Sequence, residues 1–457
     1  MLKIINPAKN EVIQELEEDT PDSISRKFEQ AVVSQKQWMN KNIQKREESL
    51  LKFSEFLLQD KERLANLLSS ETGKPVTQAG NEVKATTARI EYFLKNTSKV
   101  IQNEMVLSEG SLQEVISYEP LGVIANISAW NYPYFVGSNV FVPALLTGNA
   151  VLYKPSEYAS LTGLAITDLL HKSGVPKEVF APIIGGGNAG SELLKQKLNG
   201  VFFTGSYATG MKIAEATGGK IKLQLELGGK DPVYVCEDVD ISVAAASLAD
   251  GAFYNTGQSC CSVERIYVHQ SIYDEFVGRF VKEVKSFKIG LPNEQDTYIA
   301  PLTRTPQVRF LEEQVKDAIS KGAKVLTGGK KLSIESSQNY FEPTVLTGVN
   351  HTMDVMKEES FGPIIGIQKV SDDKEAIALM NDTEYGLTAG VYSQNINRAK
   401  TILSQVNSGS VYWNCCDRVS PRLPWTGRKH SGIGSTLSHL GILAFVQPKA
   451  WHLKGLT

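Results

Sequence analysis

LGVIANISAWNYPYFVGSNVFVPALLTGNAVLY, residues 121–153, is the most apolar run of the chain. Its length would suit a membrane span, yet Asn126, Asn131, Pro133, Asn139, Pro143 and Asn149 interrupt it. Hydrocarbon offers those amides no hydrogen-bond partners. The run therefore reads as a buried α/β core, with a strand over 122–127, a helix over 140–147 and a second strand over 150–153. The same alternation continues downstream as a helix over 160–173, a short strand over 201–203 and a helix over 208–217. Strands and helices in that order predict a parallel sheet covered by helices on both faces.

Working outward, Thr20, Pro21 and Asp22 form a helix start, and apolar residues follow at helical spacing over 24–39. A longer helical stretch runs over 46–69, and 112–118 alternates as a strand. A second α/β run begins near Asp231, with a helix over 241–254, a strand over 265–268 and a helix over 272–286. Further units extend to about Thr426. No repeat or low-complexity linker marks a boundary, so the division near Gly228-Gly229 rests on motif position.

The chain has 457 residues, enough for two or three domains, and 42% hydrophobic with 21% charged residues is ordinary for a globular protein. A formal net charge of -2 implies no basic face, so nucleic acid is not an expected partner. The opening MLKIINPAKNEV has no apolar signal core and no Arg/Ser-rich transit pattern, and no membrane partner is expected. Five cysteines, four of them in the adjacent pairs Cys260-Cys261 and Cys415-Cys416, form neither a disulfide framework nor a zinc spacing. A reducing cytoplasm and no metal are expected.

Four short segments carry candidate chemistry. In Asn255-Thr-Gly-Gln-Ser-Cys260 a helix ends in a glycine turn and places a cysteine just before a strand. Loops held by rigid elements commonly bear nucleophiles, although a lone cysteine is more often a small core residue. In Leu225-Glu226-Leu-Gly-Gly-Lys230 a carboxylate lies between leucines. Desolvation would raise its pKa and suit it to general-base work; an ion-paired structural role is the alternative. Asn131, in Trp130-Asn-Tyr-Pro133, either ties down a turn or offers its amide to a developing oxyanion. Glu359, in Glu358-Glu-Ser-Phe-Gly-Pro363, is either part of a surface turn or an acceptor for ribose hydroxyls.

Taken together, in this order and at these separations, the WN.P, LELGGK, GQ.C and E.FGP segments resemble the aldehyde dehydrogenase superfamily over essentially the whole chain. The resemblance implies two Rossmann-like parallel-sheet α/β domains, one binding NAD and one catalytic, plus a small β oligomerisation element. The implied division gives 1–110 and 121–228 to the NAD-binding domain, 229–430 to the catalytic domain, and 111–120 with 440–457 to oligomerisation, as a homodimer or homotetramer. Cys260, rather than Cys261, matches the nucleophile that attacks the aldehyde. Asn131 and the Cys260 N–H match the oxyanion donors, and Glu226 the base that hydrolyses the thioester. Lys154 and Glu157 match the adenosine-ribose ligands, and the Glu157 carboxylate favours NAD over NADP. Gly205, Ser206 and Gly210 match the pyrophosphate turn, where a helix N-terminus offers free N–H groups. Glu359 would hold the nicotinamide ribose and Phe361 pack near the nicotinamide, with Trp130 and Leu227 assigned to the same cofactor. Tyr132, Val136, Val419 and Trp425 match the walls of the aldehyde tunnel, which suit an apolar aliphatic or aromatic aldehyde.

Two positions depart from the family pattern. Val140 stands where many members carry a lysine that relays protons, and Asn139 where succinate-semialdehyde enzymes often place an arginine. The second departure argues against a carboxylate-bearing substrate unless Arg418 or Arg422 supplies the charge. A coenzyme A-acylating reaction is disfavoured by the presence of Glu226. A non-catalytic NAD-binding paralogue would fit better if Cys260 or Asn131 were replaced. A Cys–His hydrolase would leave Lys154, Glu157 and Glu359 without a role.

Overall fold

A computed structural model describes residues 1–455. The 121–153 run folds as the strand Val123–Ile127, the helix Pro133–Leu146 and the strand Ala150–Lys154. These two strands lie side by side in a six-stranded sheet ordered Gly432–Ile433, Lys222–Glu226, Gly200–Thr204, Val123–Ile127, Ala150–Lys154, Phe180–Pro182. All neighbours are parallel except Gly432–Ile433, which runs antiparallel at the edge. A seven-stranded sheet follows the same plan, in the order Lys324–Thr327, Thr344–Thr347, Ile364–Val370, Val263–His269, Asp231–Val235, Thr388–Tyr392, Ser410–Trp413. Only the edge strand Lys324–Thr327 is antiparallel. Separate apolar clusters cover its two faces. The alternating pattern thus gives the two parallel-sheet α/β units it predicts.

A third sheet has three antiparallel strands, with Leu112–Pro120 between Val446–Lys454 and Glu104–Glu109. Residues 112–120 therefore pair with the C-terminal segment of their own chain. Glu104–Glu109 was expected within the first α/β unit and lies in this sheet instead. Gly432–Ile433, beyond the expected end of the second unit, completes the first sheet. Of the expected oligomerisation segment 440–457, residues 456 and 457 lie outside the described residues.

Three helices differ from their sequence spacing for identifiable reasons. The helix expected over 140–147 begins at Pro133. Proline there has a preset φ and no N–H to lose, and the carboxylate of Glu82 accepts the N–H groups of Tyr134 at 2.9 Å and Phe135 at 3.4 Å. That cap comes from another helix and is invisible in the local sequence. The stretch 46–69 is two helices, Ile43–Gln59 and Lys61–Thr72, hinged at Asp60. Val76–Val100 is a 25-residue helix that the apolar pattern does not announce. Its buried face includes Gln78, Glu82, Thr86, Arg89 and Thr97, so the stripe that faces the core is half polar. No helix among the described residues is long and apolar enough to cross a membrane.

Candidate active site

The four motifs meet at glycines. A Cβ on Gly228 would strike the Glu359 carboxylate, and one on Gly229 would lie 2.6 Å from the Cys260 carbonyl oxygen. A Cβ on Gly257 would strike the carbonyl oxygen of Gly362. Gly228 and Gly229 thus let the Glu226 strand end abut both the cysteine loop and the Glu359 loop. Gly257 lets those two loops touch each other. The fourth motif joins through Asn131, whose Nδ2 donates to the Gln258 carbonyl at 3.1 Å. Segments about 230 residues apart in sequence are thereby packed backbone to backbone.

The cysteine loop is strained and braced. Asn255, Thr256 and Gly257 have successive φ values of 54°, 56° and 70°. A β-branched residue such as Thr256 rarely adopts that region, and such strain persists only where the surroundings impose it. The Asn255 N–H donates to Gln78 Oε1 at 2.8 Å, and the Ala300 N–H donates to Thr256 Oγ1 at 3.0 Å. The Thr303 N–H donates to Gln258 Oε1 at 3.0 Å. Asn255 Nδ2 also donates to the Gln258 carbonyl at 3.0 Å.

The two adjacent cysteines differ sharply. Cys260 is partly exposed, whereas Cys261 is buried. A hydrogen bond with Cys260, then burial, push the Cys261 thiol well above its ordinary value. Cys261 Sγ donates to Asp417 Oδ1 at 3.0 Å, an acceptor that keeps it a thiol. Glu226 is buried, and burial raises its carboxyl to about 7 against the opposing pull of Thr436, Arg89 and Gln224. The Thr436 hydroxyl donates to Glu226 Oε1, and Gln224 Nε2 donates to the same oxygen at 3.1 Å. Val140, at the position of the family lysine, is buried.

The sequence reading missed the residues that hold this chamber in place. Gln224 carried a signal, since it lies two residues before Glu226 on a strand and so shares its face. Gln258 lies inside the GQ.C segment, and Thr436 and Asp417 carried no signal. The buried Lys74–Glu82 pair, at 2.5 Å, also escaped it, with Lys74 Nζ lying 3.6 Å from the Tyr132 ring centroid. Glu264 is another: it pairs with Lys230 at 2.6 Å and accepts the N–H groups of Ser360 and Phe361. This fixes the loop that bears Glu359, and Phe361 there has a φ of 45°.

The cofactor positions expected from the resemblance line the carboxyl ends of the first sheet's strands, with Glu359 reaching them from the second unit. Lys154 ends its strand buried, its Nζ donating to the Pro155 carbonyl at 3.2 Å. Burial lowers its ammonium pKa, with Glu157 opposing. Ser206 caps the helix Tyr207–Thr217, directly after the strand Gly200–Thr204 and Gly205. Gly210 lies on that helix, where a Cβ would come within 2.6 Å of Leu227. The helix therefore packs directly on the residue after Glu226. Glu359 accepts the Gly229 N–H at 3.1 Å, and burial raises its carboxyl to about 8. Trp130 packs edge-on to Phe361 with ring centroids 5.6 Å apart. Gly186 and Gly187, at the start of the preceding helix Gly187–Leu194, border open space.

Of the expected tunnel residues, Tyr132 is the N-cap residue of the helix Pro133–Leu146 and Val136 lies on it. Tyr132 stacks on Phe135, and Trp425 forms an isolated antiparallel bridge with Thr436. Val419 and Cys260 both pack against the same apolar cluster as Trp425. Arg418 and Arg422, the proposed sources of positive charge, are both exposed.

With this geometry in hand, comparison with known proteins is direct. The profile of the aldehyde dehydrogenase family matches residues 1–451. A glutarate-semialdehyde dehydrogenase of Pseudomonas putida is 32% identical over 451 residues, covering 98% of this chain and 93% of its own. A crystal structure of an NADP-dependent enzyme from Escherichia coli superposes with a TM-score of 0.95 at 29% identity, covering 99% and 94% of the two chains. A betaine aldehyde dehydrogenase point mutant from Staphylococcus aureus, solved with NAD+, gives a TM-score of 0.95 at 30% identity over 99% and 94%. The chain belongs to the aldehyde dehydrogenase family.

Proposed function

We propose that this chain oxidises an aldehyde to its carboxylic acid with NAD, through a covalent adduct on Cys260. The observation that carries the reading is the convergence of Cys260, Asn131, Glu226 and Glu359 through Gly228, Gly229 and Gly257. The surroundings of the neighbouring cysteine support the choice of nucleophile. Cys261 is locked as a thiol on Asp417, so Cys260 is the sulfur free to react.

The Cys260 thiolate forms a C–S bond to the aldehyde carbon, and the carbonyl electron pair moves to oxygen. The Cys260 N–H and the Asn131 amide stabilise that oxyanion, the latter by turning from the Gln258 carbonyl. Bound NAD+ would supply the hydride acceptor, which would leave a thioester on Cys260. Glu226 then takes a proton from water, whose oxygen attacks the thioester carbon. The C–S bond breaks, releasing the acid and restoring the Cys260 sulfur. With its carboxyl near 7, Glu226 is partly ionised at neutral pH, where a base works best.

The residues present fit a dinucleotide. Lys154 is a buried ammonium with a single carbonyl partner, suited to ribose hydroxyls. Gly205, Ser206 and Gly210 open a helix toward a phosphate. The Glu157 carboxylate beside Lys154 repels a 2′-phosphate, which supports NAD over NADP. On this reading the first α/β unit binds the dinucleotide and the second carries Cys260. Exposed Met105, Val106, Trp451 and Leu453 on the three-stranded sheet support its use in a homodimer or homotetramer. A reactive thiolate suits a reducing cytoplasm.

The tunnel residues Tyr132, Val136, Val419 and Trp425 favour an apolar aliphatic or aromatic aldehyde. Those walls would take the chain of the aldehyde, and one buried cation, Arg89, favours a second reading in which that chain ends in a carboxylate. The test is dinucleotide reduction by the purified protein over neutral, aromatic, amino- and carboxy-aldehydes, with NAD and NADP in parallel. Turnover with NAD is expected; silence on every aldehyde would overturn the reading.

A further inference from the structure

Six cations are buried among the described residues: Arg46, Lys74, Arg89, Lys154, Lys230 and Arg265. Four are satisfied. Lys74 and Lys230 are paired with Glu82 and Glu264. Arg46 donates to the carbonyls of Leu146, Trp38, Met39 and Lys41. Arg265 donates to the carbonyls of Lys230, Leu379, Met380 and Asp382 and to the Tyr267 hydroxyl. Two are not. Lys154 has one carbonyl, and it faces the proposed dinucleotide site.

Arg89 is the other. It is 6% exposed, and of its five N–H donors one is used, Nη1 to Asn139 Oδ1 at 2.9 Å. It has no carboxylate within ion-pair distance among the described residues. Its guanidinium lies 3.9 Å from the Phe135 ring centroid. Asn139 stands three residues after Val136 on the helix Pro133–Leu146, so the two share one face. That face carries the expected tunnel wall. Burial lowers the Arg89 guanidinium pKa, and the charges of Glu82, Cys261, Glu226 and Cys260, in that order, oppose the shift. Glu82 and Glu226 compensate its charge without pairing with it directly, and a buried cation with no direct partner is costly unless an anion arrives to pair with it. A guanidinium with free N–H groups in one plane is matched best by a carboxylate.

We propose that Arg89 receives the carboxylate of the substrate, so that the preferred aldehyde is an oxo acid with the aldehyde and carboxylate at opposite ends. This rests on the reading of Cys260 as the nucleophile. It makes Arg89 a specificity-determining residue supplied by the helix Val76–Val100, where Arg418 and Arg422 are exposed.

The test compares kcat/KM for pentanal and 5-oxopentanoate in the wild type, Arg89→Lys and Arg89→Met. The wild type is expected to prefer 5-oxopentanoate. Arg89→Met should lose about 100-fold more on it than on pentanal, mainly through KM, with Arg89→Lys in between. Equal losses on both aldehydes would overturn the proposal and assign Arg89 to Cys260 or Glu226 instead. Independently of turnover and of any variant, glutarate binding to the wild-type protein is measured by calorimetry at low and high salt. Salt-sensitive binding that slows alkylation of Cys260 supports the carboxylate site, and no binding overturns it. Glutarate binding in a protein that oxidises no aldehyde would sink the reading of Cys260 while leaving the anion site standing.

Discussion

The proposed reaction chamber and the adenosine end of the proposed dinucleotide cleft are built in opposite ways. The cleft is local. One strand, Gly200–Thr204, runs through Gly205 and Ser206 into the helix Tyr207–Thr217, and a second strand ends in Lys154. The chamber is assembled from distant pieces: Asn131, Glu226, Cys260, Glu359 and Thr436 come from five segments that touch through glycines and buried carboxylates. A local site tolerates small changes because each element keeps its own hydrogen bonds. A composite site fails when any one contact is lost, because no segment holds its geometry alone.

This contrast can be broken most directly at Cys260. Cys260→Ala should lower turnover by a factor on the order of 10⁶, while dinucleotide binding, followed by quenching of protein fluorescence, persists. Loss of both together would mean that the two regions are not separable. Asn131→Ala removes one oxyanion donor and should cost about 10²–10³ in kcat. A rapid-mixing burst of NADH would then be slowed at its first phase; an unaltered burst would remove Asn131 from the chemistry.

Thr436→Val sharpens the comparison through pH. Burial holds the Glu226 carboxyl near 7, and the Thr436 hydroxyl opposes that rise by donating to the carboxylate. Without the donor the carboxyl should rise further, so the ascending limb of thioester hydrolysis should move to higher pH by about one unit. A profile that stays in place would show that Thr436 does not tune the base. Ser206→Ala should have the smallest effect. Its hydroxyl caps the helix by accepting the Thr209 N–H at 3.4 Å, and its loss should cost about 1 kcal/mol or less in thermal denaturation. Turnover at saturating NAD should change little.

Much of the fold was legible because strand and helix periods are local properties of the chain. The alternation over 121–217 and again from 231 is enough to give two parallel sheets. Where the local signal was absent, the tertiary environment had replaced it. The helix Pro133–Leu146 starts where Glu82 caps it, and the helix Val76–Val100 buries glutamine, glutamate, threonine and arginine that a hydrophobic stripe would not contain. The expected cofactor and reacting positions could be named by motif, but the roles of Gln224 and Gln258, which lie beside and inside motifs, and of Thr436 and Arg89, which lie outside them, could not. Their significance lies in partners 2 to 210 residues away in sequence, such as Gln224 and Thr436 on Glu226.

The sequence by itself determined the α/β class, the family and which residue types stand at the reacting positions, because periodicity and short motifs are written along the chain. Only the tertiary structure decided which of two adjacent cysteines is held as a thiol, which side chains hydrogen-bond Glu226, and which buried cations have no ion pair. Those outcomes depend on desolvation and on hydrogen bonds between segments far apart in the chain. Burial and partnership of that kind exist only once the chain has folded.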